Sequence, residues 1–285
     1  MLSHTKNIIS IDVEDWYHSS LDLFKDSDIK HGARPDYSVI SNTIKTLELL
    51  EKTQNHGTFF VLGTVAEHYP DLVKEILNKG HEVATHGYCH QLVYNMSQEN
   101  FETDLKLSIE FLTNAGCNTI EGYRAPYWSI TKSSLWALDS LKKMGLNYDS
   151  SIFPIRRGLY GIPDANPNVH RILKDLWEFP PTTIRLFGVN WPIAGGGYLR
   201  LVPYQIISSA IRKSSGQNIR VFYLHPYELD PTDINLKHKG KTVSTYVHWL
   251  QQRIGRKSNP CKLNRLLSDF KFTTINKTLS TLRQE

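Results

Sequence analysis

Residues 81–90 read His81-Glu82-Val83-Ala84-Thr85-His86-Gly87-Tyr88-Cys89-His90. His81 to Ala84 has the look of a short strand, and the polar, glycine-containing stretch after it turns the chain. His86 and His90 stand four residues apart in that turn, close enough to converge on one metal ion. Whether they do depends on which other strands end beside this one.

Upstream, Asn7 to Val13 (NIISIDV) is an Ile-rich run of the kind found in buried strands, and it ends in acids at Asp12, Glu14 and Asp15. Residues 19–36 are polar and read as a loop. Asp36 to Lys52 carries Val39, Ile40, Ile44, Leu47 and Leu50 at helical spacing. Gly57 to Gly63 is a second buried strand. Thr64 to Asn78 reads as one helix stopped by Gly80.

Downstream, Ser97 to Ala115 is helical, with Ser97 as N-cap and Gly116 as stop. Glu121 to Tyr127 is a strand and turn, Thr131 to Met144 a helix, and Tyr148 to Ile152 a short strand. This alternation calls for parallel strands joined by crossover helices. A closed or partly closed α/β barrel fits it as well as an open sheet.

After Pro154 the rhythm breaks. Residues 155–202 are rich in Pro and Gly, include Gly195-Gly196-Gly197, and offer Asp175–Phe179 and Thr183–Phe187 as strands. Pro203 to Lys213 returns to helix, and Arg220 to Leu224 is a buried strand ending at His225-Pro226. Residues 231–260 read as polar chain extended over the surface. A helix (Lys262–Phe270), a last strand (Phe270–Ile275) and a polar tail follow. The expected organisation is one catalytic domain over residues 1–285, with an irregular insertion at 155–202 and a C-terminal extension at 231–285.

Composition narrows the classes. The 285 residues are 40% hydrophobic and 21% charged, ordinary for a globular chain with a sizeable core. Cys89, Cys117 and Cys261 are too few and too scattered for a disulfide framework. No run approaches the length of a membrane span, and the first residues lack a secretory pattern, so a cytoplasmic protein is expected. The net charge of +5 is modest and gives no reason to expect a nucleic-acid partner. The cations enriched from Lys237 to Lys262 form either a solvated face or a contact for an acidic glycan, a nucleotide-sugar or a membrane surface.

The chemistry-bearing residues cluster at the C-terminal ends of the strands: Asp12 and Glu14, His86 and His90, Arg124, Asp149, and His225. That edge is where sites form in parallel α/β folds. Two histidines and a carboxylate are a standard catalytic zinc set. Strand alternation puts Asp12 and Glu14 on one face, while the direction of Asp15 stays open. Each residue also has a structural reading. His225 could be a turn histidine, Arg124 the partner of a core acid, and Asp149 a cap.

In order and spacing this set resembles the polysaccharide deacetylase family, the chitin-deacetylase-like carbohydrate esterases, over roughly residues 7–154 and 220–228. That family's strand ending T-F-D-D-G corresponds to Ser10-Ile11-Asp12-Val13-Glu14-Asp15. Its H-(S/T)-x-x-H is His86-Gly87-Tyr88-Cys89-His90, and its R-x-P-(Y/F) is Arg124-Ala125-Pro126-Tyr127. Its acid-bearing segment aligns loosely with Asp149-Ser150-Ser151, and its final histidine with Leu224-His225-Pro226. The first motif departs from the commonest pattern, since Val13 separates the acids. Branches acting on small amides and cyclic imides look similar there, which favours Glu14 as metal ligand with Asp15 as the alternative. The later stretches Trp177-Glu178-Phe179-Pro180, Gly195–Tyr198, Leu201–Tyr204 and Phe222–Glu228 resemble a subgroup encoded with exopolysaccharide or capsule assembly systems.

The resemblance implies a distorted (β/α) barrel of seven or so parallel strands, with the insertion and extension added to it. It implies a divalent metal, zinc first, with cobalt, manganese or nickel as substitutes, held by His86, His90 and Glu14 or Asp15. Asp12 would be the general base, held by Arg124. His225 would be the general acid, kept charged by Asp149. A backbone N–H near Tyr127 would face the oxyanion, and Trp16, Tyr127 and Trp128 would contact the sugar. The implied substrate is an N-acetylated sugar of a cell-surface polysaccharide or its cytoplasmic precursor. The implied setting is the cytoplasm or the inner membrane face, in peripheral association with membrane polysaccharide-assembly machinery. The competing expectations are a cyclic-imide or allantoin-type amidohydrolase on the same fold, and a catalytically inactive carbohydrate-binding protein.

Overall fold

β1 (Lys6–Val13) is the strand on which the others are laid. Ile8, Ile9 and Ile11 are wholly buried, the pattern of a parallel strand covered on both faces. In the computed structural model, which describes residues 6–18, 34–214, 218–232, 247 and 250–284, β1 pairs in parallel with β2 (Thr58–Val61) on one side and β10 (Ile219–Leu224) on the other. From β2 the sheet continues in parallel through β3 (Glu82–Thr85), β4 (Gly122–Tyr123), β5 (Tyr148–Asp149) and β7 (Leu176–Glu178). The order β10-β1-β2-β3-β4-β5-β7 is therefore seven parallel strands, curled into a half-barrel. β6 (His170–Leu173) adds an antiparallel edge, and β11 (Phe272–Thr273) pairs with β1.

The two faces of β1 divide the molecule. Ile9, Ile11 and Val13 face the helices and pack with residues of α1 (Ser38–Lys52), α2 (Gly63–His68) and α3 (Pro70–Asn78). Ile8 faces the barrel interior beside Phe60, Tyr148 and Phe179. Ser10 and Asp12 share that inner face by alternation, which carries the acid to the mouth of the half-barrel. The helix expected from Thr64 to Asn78 is two helices, because Tyr69 precedes a proline and is forced out of the helical region (φ −136°, ψ 56°). α4 (Gln98–Asn114) begins as expected, with Ser97 accepting from the Asn100 amide at 3.2 Å. α5 (Trp136–Lys143) starts later than expected. Ser134 accepts from the Thr131 amide at 2.9 Å and diverts the chain into a turn first.

Past Pro154 the chain is more ordered than an irregular insertion. β7 extends the main sheet, and β8 (Thr183–Leu186) and β9 (Val189–Pro192) form a separate two-stranded ribbon. α6 (Gly196–Leu201) and α7 (Tyr204–Lys213) lead to β10. The basic stretch from Lys237 and the loop expected at 19–36 lie partly outside the described residues. The expectation of surface chain to residue 260 is corrected at its end, where residues 256–258 form a 3-10 turn and Arg256 is fully buried. Its guanidinium donates to the Tyr227 carbonyl, a contact no local pattern reveals. α8 (Asn259–Asp269) follows. The tail is likewise a helix, α9 (Ile275–Leu282), whose Ile275 and Leu279 close the bottom of the barrel interior. Apolar residues at positions 275, 279 and 282 make the buried stripe. Among the described residues no helix is long and apolar enough to cross a membrane.

Candidate active site

Asp12 ends the inner face of β1 and is met by Arg124, which follows β4. Arg124 is completely buried, and it donates to Asp12 Oδ1 at 2.7 Å and to Ser10 Oγ at 2.9 Å. Its remaining N–H groups donate to the Ser150 carbonyl at 3.1 Å and Ser150 Oγ at 2.7 Å. The guanidinium lies over the Phe60 ring, 4.2 Å from its centroid. Each nitrogen of the fork is thus used, and the Asp12 carboxyl group is held in one orientation.

Glu14 lies just past the strand and turns to the same mouth. Its Oε2 is 2.7 Å from His90 Nε2 and 3.8 Å from His86 Nε2. Ligand atoms of Glu14, His86 and His90 all lie within 4.8 Å of one another, and all three residues are buried. His86 Nδ1 donates to the Arg124 carbonyl at 2.7 Å, which leaves the Nε2 lone pair aimed at Glu14. The loop between the histidines needs left-handed backbone at Gly87 (φ 77°) and His90 (φ 59°). α4 holds that loop. Asp104 accepts from the Tyr88 amide at 2.8 Å, and Ser108 donates to the Gly87 carbonyl at 3.1 Å.

The charges suit a cation. Burial opposes ionisation of Glu14, but His90, His225 and His86 outweigh it and hold the carboxyl far below its usual range. Burial pushes His86 down to about 4, against the pull of Asp12 and Glu14. At neutral pH that leaves a carboxylate facing a neutral His86 imidazole. Glu14 Oε2 is buried without a hydrogen bond of acceptable geometry, although His90 Nε2 is close. An orphaned anionic oxygen among imidazole nitrogens fits a divalent ion, and the donor set matches a three-ligand site with a position left open.

On the far wall is His225, at the end of β10. Its Nε2 is 3.5 Å from Glu14 Oε1 and 3.8 Å from Asp12 Oδ2. Glu228 Oε2 lies 3.4 Å from its Nδ1 and accepts from its amide at 3.0 Å. Burial disfavours the imidazolium. Glu228 first, then Glu14 and Asp12, reverse that and raise His225 to about 9. Tyr227 stacks on the ring at 4.9 Å. The glycine run now has a reason, because a Cβ at Gly196 would sit 1.8 Å from Glu228 Oε2.

These walls enclose a pocket of about 180 Å³ lined by Asp12, Glu14, His86, His90, His225 and Glu228, with Tyr127, Trp128 and Tyr160 among the aromatics. Trp128 packs on Tyr223 with ring centroids 4.4 Å apart. Three of the residues singled out in the sequence are not brought here. The Asp15 carboxylate accepts from the Asp36 amide at 2.9 Å, Tyr17 Oη at 3.0 Å and Ser38 Oγ at 3.2 Å, so it serves the start of α1. Asp149 accepts from Ser151 Oγ and shares a hydrogen bond with Glu178, and the acid on His225 is Glu228 instead. Trp16 is buried and does not line the pocket. Glu228 had a usable sequence signal, the spacing His225-x-x-Glu228 of a capping box. His18, whose ring stands 5.4 Å from that of His90, had none.

Fold and site together define an α/β half-barrel with a candidate cation site at its mouth. Comparisons with known proteins narrow this. Residues 36–148 match the family described as polysaccharide deacetylase, and residues 150–280 a domain of unknown function, DUF3473. Chitin deacetylase 1 of Saccharomyces cerevisiae is 34% identical over 85 residues, 30% of this chain and 28% of that protein. Peptidoglycan-N-acetylglucosamine deacetylase of Bacillus cereus is 27% identical over 120 residues, 37% of this chain and 44% of that protein. The chain therefore spans less than half the length of these curated relatives. A solved Mycobacterium smegmatis structure of the polysaccharide deacetylase type shares the fold, with a TM-score of 0.63 and 18% identity over 100% of this chain and 92% of that one. Over residues 36–148 the chain is thus similar to the polysaccharide deacetylase family, and it shares the fold of a solved protein of that type.

Proposed function

We propose that this chain is a metal-dependent deacetylase that hydrolyses the N-acetyl group of a sugar in a cell-surface polysaccharide or its precursor. One observation carries the reading. A single pocket sets the Glu14–His86–His90 donors between a fixed carboxylate, Asp12, and a histidine poised as an acid, His225. The named activities of the relatives, on chitin and peptidoglycan N-acetylglucosamine, support an N-acetylated sugar. Two imidazoles and a carboxylate suit Zn²⁺ best, with Co²⁺, Mn²⁺ and Ni²⁺ as workable substitutes. When bound, the ion supplies Lewis-acid polarisation and a more acidic water.

The protein's own groups divide the proton work. Asp12, held in place by Arg124, takes the proton of the water whose oxygen bonds to the acetyl carbon. His225 gives its proton to the sugar nitrogen as the C–N bond breaks, so acetate and a free amine leave. Glu228 holds His225 in its charged form and fixes the ring. Tyr127 and Trp128 border the pocket where the ring would lie.

The test is acetate release from N-acetylated chito- and glucosamine-containing oligosaccharides by metal-loaded protein, with metal content measured on the same sample and small cyclic imides assayed beside them. Acetate release that requires the metal supports the proposal. Metal-loaded protein that opens imides and leaves every N-acetylated sugar intact overturns it.

A further inference from the structure

The β8–β9 ribbon carries a second surface, away from the proton chemistry of the pocket. Its register pairs Ile184 with Trp191 and Leu186 with Val189, so these four side chains share one face. Ile184 packs against the domain core, whereas Leu186, Val189 and Trp191 are about half exposed and Phe187 is fully exposed at 101%. Phe187 (φ 51°) and Gly188 (φ 77°) occupy the two left-handed positions of the hairpin loop, where Asn-Gly is the low-strain choice. A phenylalanine is held there in a disfavoured conformation with nothing covering it. The ribbon is tied to the body by Asn190 Nδ2, which is buried and donates to the Pro154 carbonyl at 2.9 Å.

Charge points to the occupant. Between Glu178 and Glu228 the sequence has no Asp or Glu, but it has Arg185, Arg200, Arg212, Lys213 and Arg220. Arg200 donates to the Gln252 carbonyl, Arg212 lies over the Phe270 ring and Arg220 reaches Asn7, so the cation on the ribbon itself is Arg185. Arg185 is exposed on the other face of the ribbon, opposite Asn190 and next to Leu186. Leu201 and Ile206, from the same acid-free segment, are also exposed. A protruding apolar tip enters a deformable lipid plane readily. The exposed Arg185 beside it matches anionic headgroups.

We propose that the β8–β9 ribbon docks this protein on an anionic phospholipid surface. Leu186 and Phe187 enter the boundary between headgroups and acyl chains, Trp191 sits at the interface, and Arg185 faces lipid phosphates. This docking does not depend on the deacetylation reading.

The test is co-sedimentation of the full chain with vesicles of equimolar phosphatidylcholine and phosphatidylglycerol, beside vesicles of phosphatidylcholine alone. The expected result is binding to the anionic vesicles only, weakened by salt. The Leu186→Asn/Phe187→Asn double variant should bind roughly tenfold or more weakly, given the apolar area withdrawn. Asn suits left-handed backbone, so the variant should fold and keep its activity on a soluble oligosaccharide. No binding to anionic vesicles, or equal binding by the double variant, overturns the proposal. A wild-type dimer that the double variant dissociates, with no vesicle binding, also overturns it and makes the ribbon a self-association surface.

Discussion

Two groups of buried acids lie along the same edge of the sheet, and their surroundings drive them in opposite directions. Glu14 faces three imidazoles, which hold it ionised against the cost of burial. Asp149 and Glu178 face each other behind Arg124. Burial raises both, Asp149 to about 6 and Glu178 further, so this pair retains a proton. Both groups sit at strand ends, and both look catalytic by position. The difference is in what each acid meets. A carboxylate among imidazoles at a pocket can hold a cation, whereas two carboxyls enclosed together can only share a proton. Position at a strand end is therefore not sufficient for a role in this site.

Four experiments break or sharpen that contrast. The largest effect is expected from His86→Ala or His90→Ala. Bound divalent metal should be lost and acetate release should fall roughly a thousandfold or more, since the metal's share of the chemistry goes with it. Full activity in either variant would show that the cation site lies elsewhere. Asp12→Asn should come next, with metal content unchanged and turnover lower by roughly 10²–10⁴. Parallel loss of metal would make Asp12 a ligand and not a base.

The third experiment puts the two acid groups side by side. Glu228→Gln should lower kcat about tenfold at unchanged KM, and Asp149→Asn should leave kcat within about twofold. The reverse order would return the orienting role on His225 to Asp149.

The smallest effect is on stability. An unfolded Asp titrates near pH 4, whereas folded Asp149 titrates at about 6. Between those values the folded chain holds the extra proton. The stabilisation is therefore complete below about pH 4 and lost as pH rises through 6. Urea midpoints of wild type and Asp149→Asn, compared from pH 4.5 to 7.5, should diverge with the wild type falling. Parallel curves would mean that Asp149 is ionised throughout.

Much of this was legible in the chain. Ile8, Ile9 and Ile11 announced a strand buried on both faces, and the alternation with helices announced parallel pairing. The residues Asp12, Glu14, His86, Arg124 and His225 were readable because each lies at or just past a strand end, where periodicity fixes which way a side chain points. Asp15 was not, because it lies beyond the last paired residue of β1 and its partners, Asp36 and Ser38, are brought to it by a helix start. The buried Arg256 and the helix at Ile275–Leu282 escaped for the same kind of reason. Their partners, Tyr227 and the barrel floor, come from remote parts of the chain.

By itself the sequence determined the strands, their order of charged ends and the pair of histidines, because local periodicity and spacing are written in consecutive residues. Only the tertiary structure decided between Glu14 and Asp15 at the candidate cation site, and between Glu228 and Asp149 beside His225. The first choice rests on the turn that brings Glu14 within 4 Å of His90, a distance set by the packing of elements far apart in sequence; the second rests on the sheet, which carries Asp149 to Glu178 and leaves His225 to its neighbour three residues on.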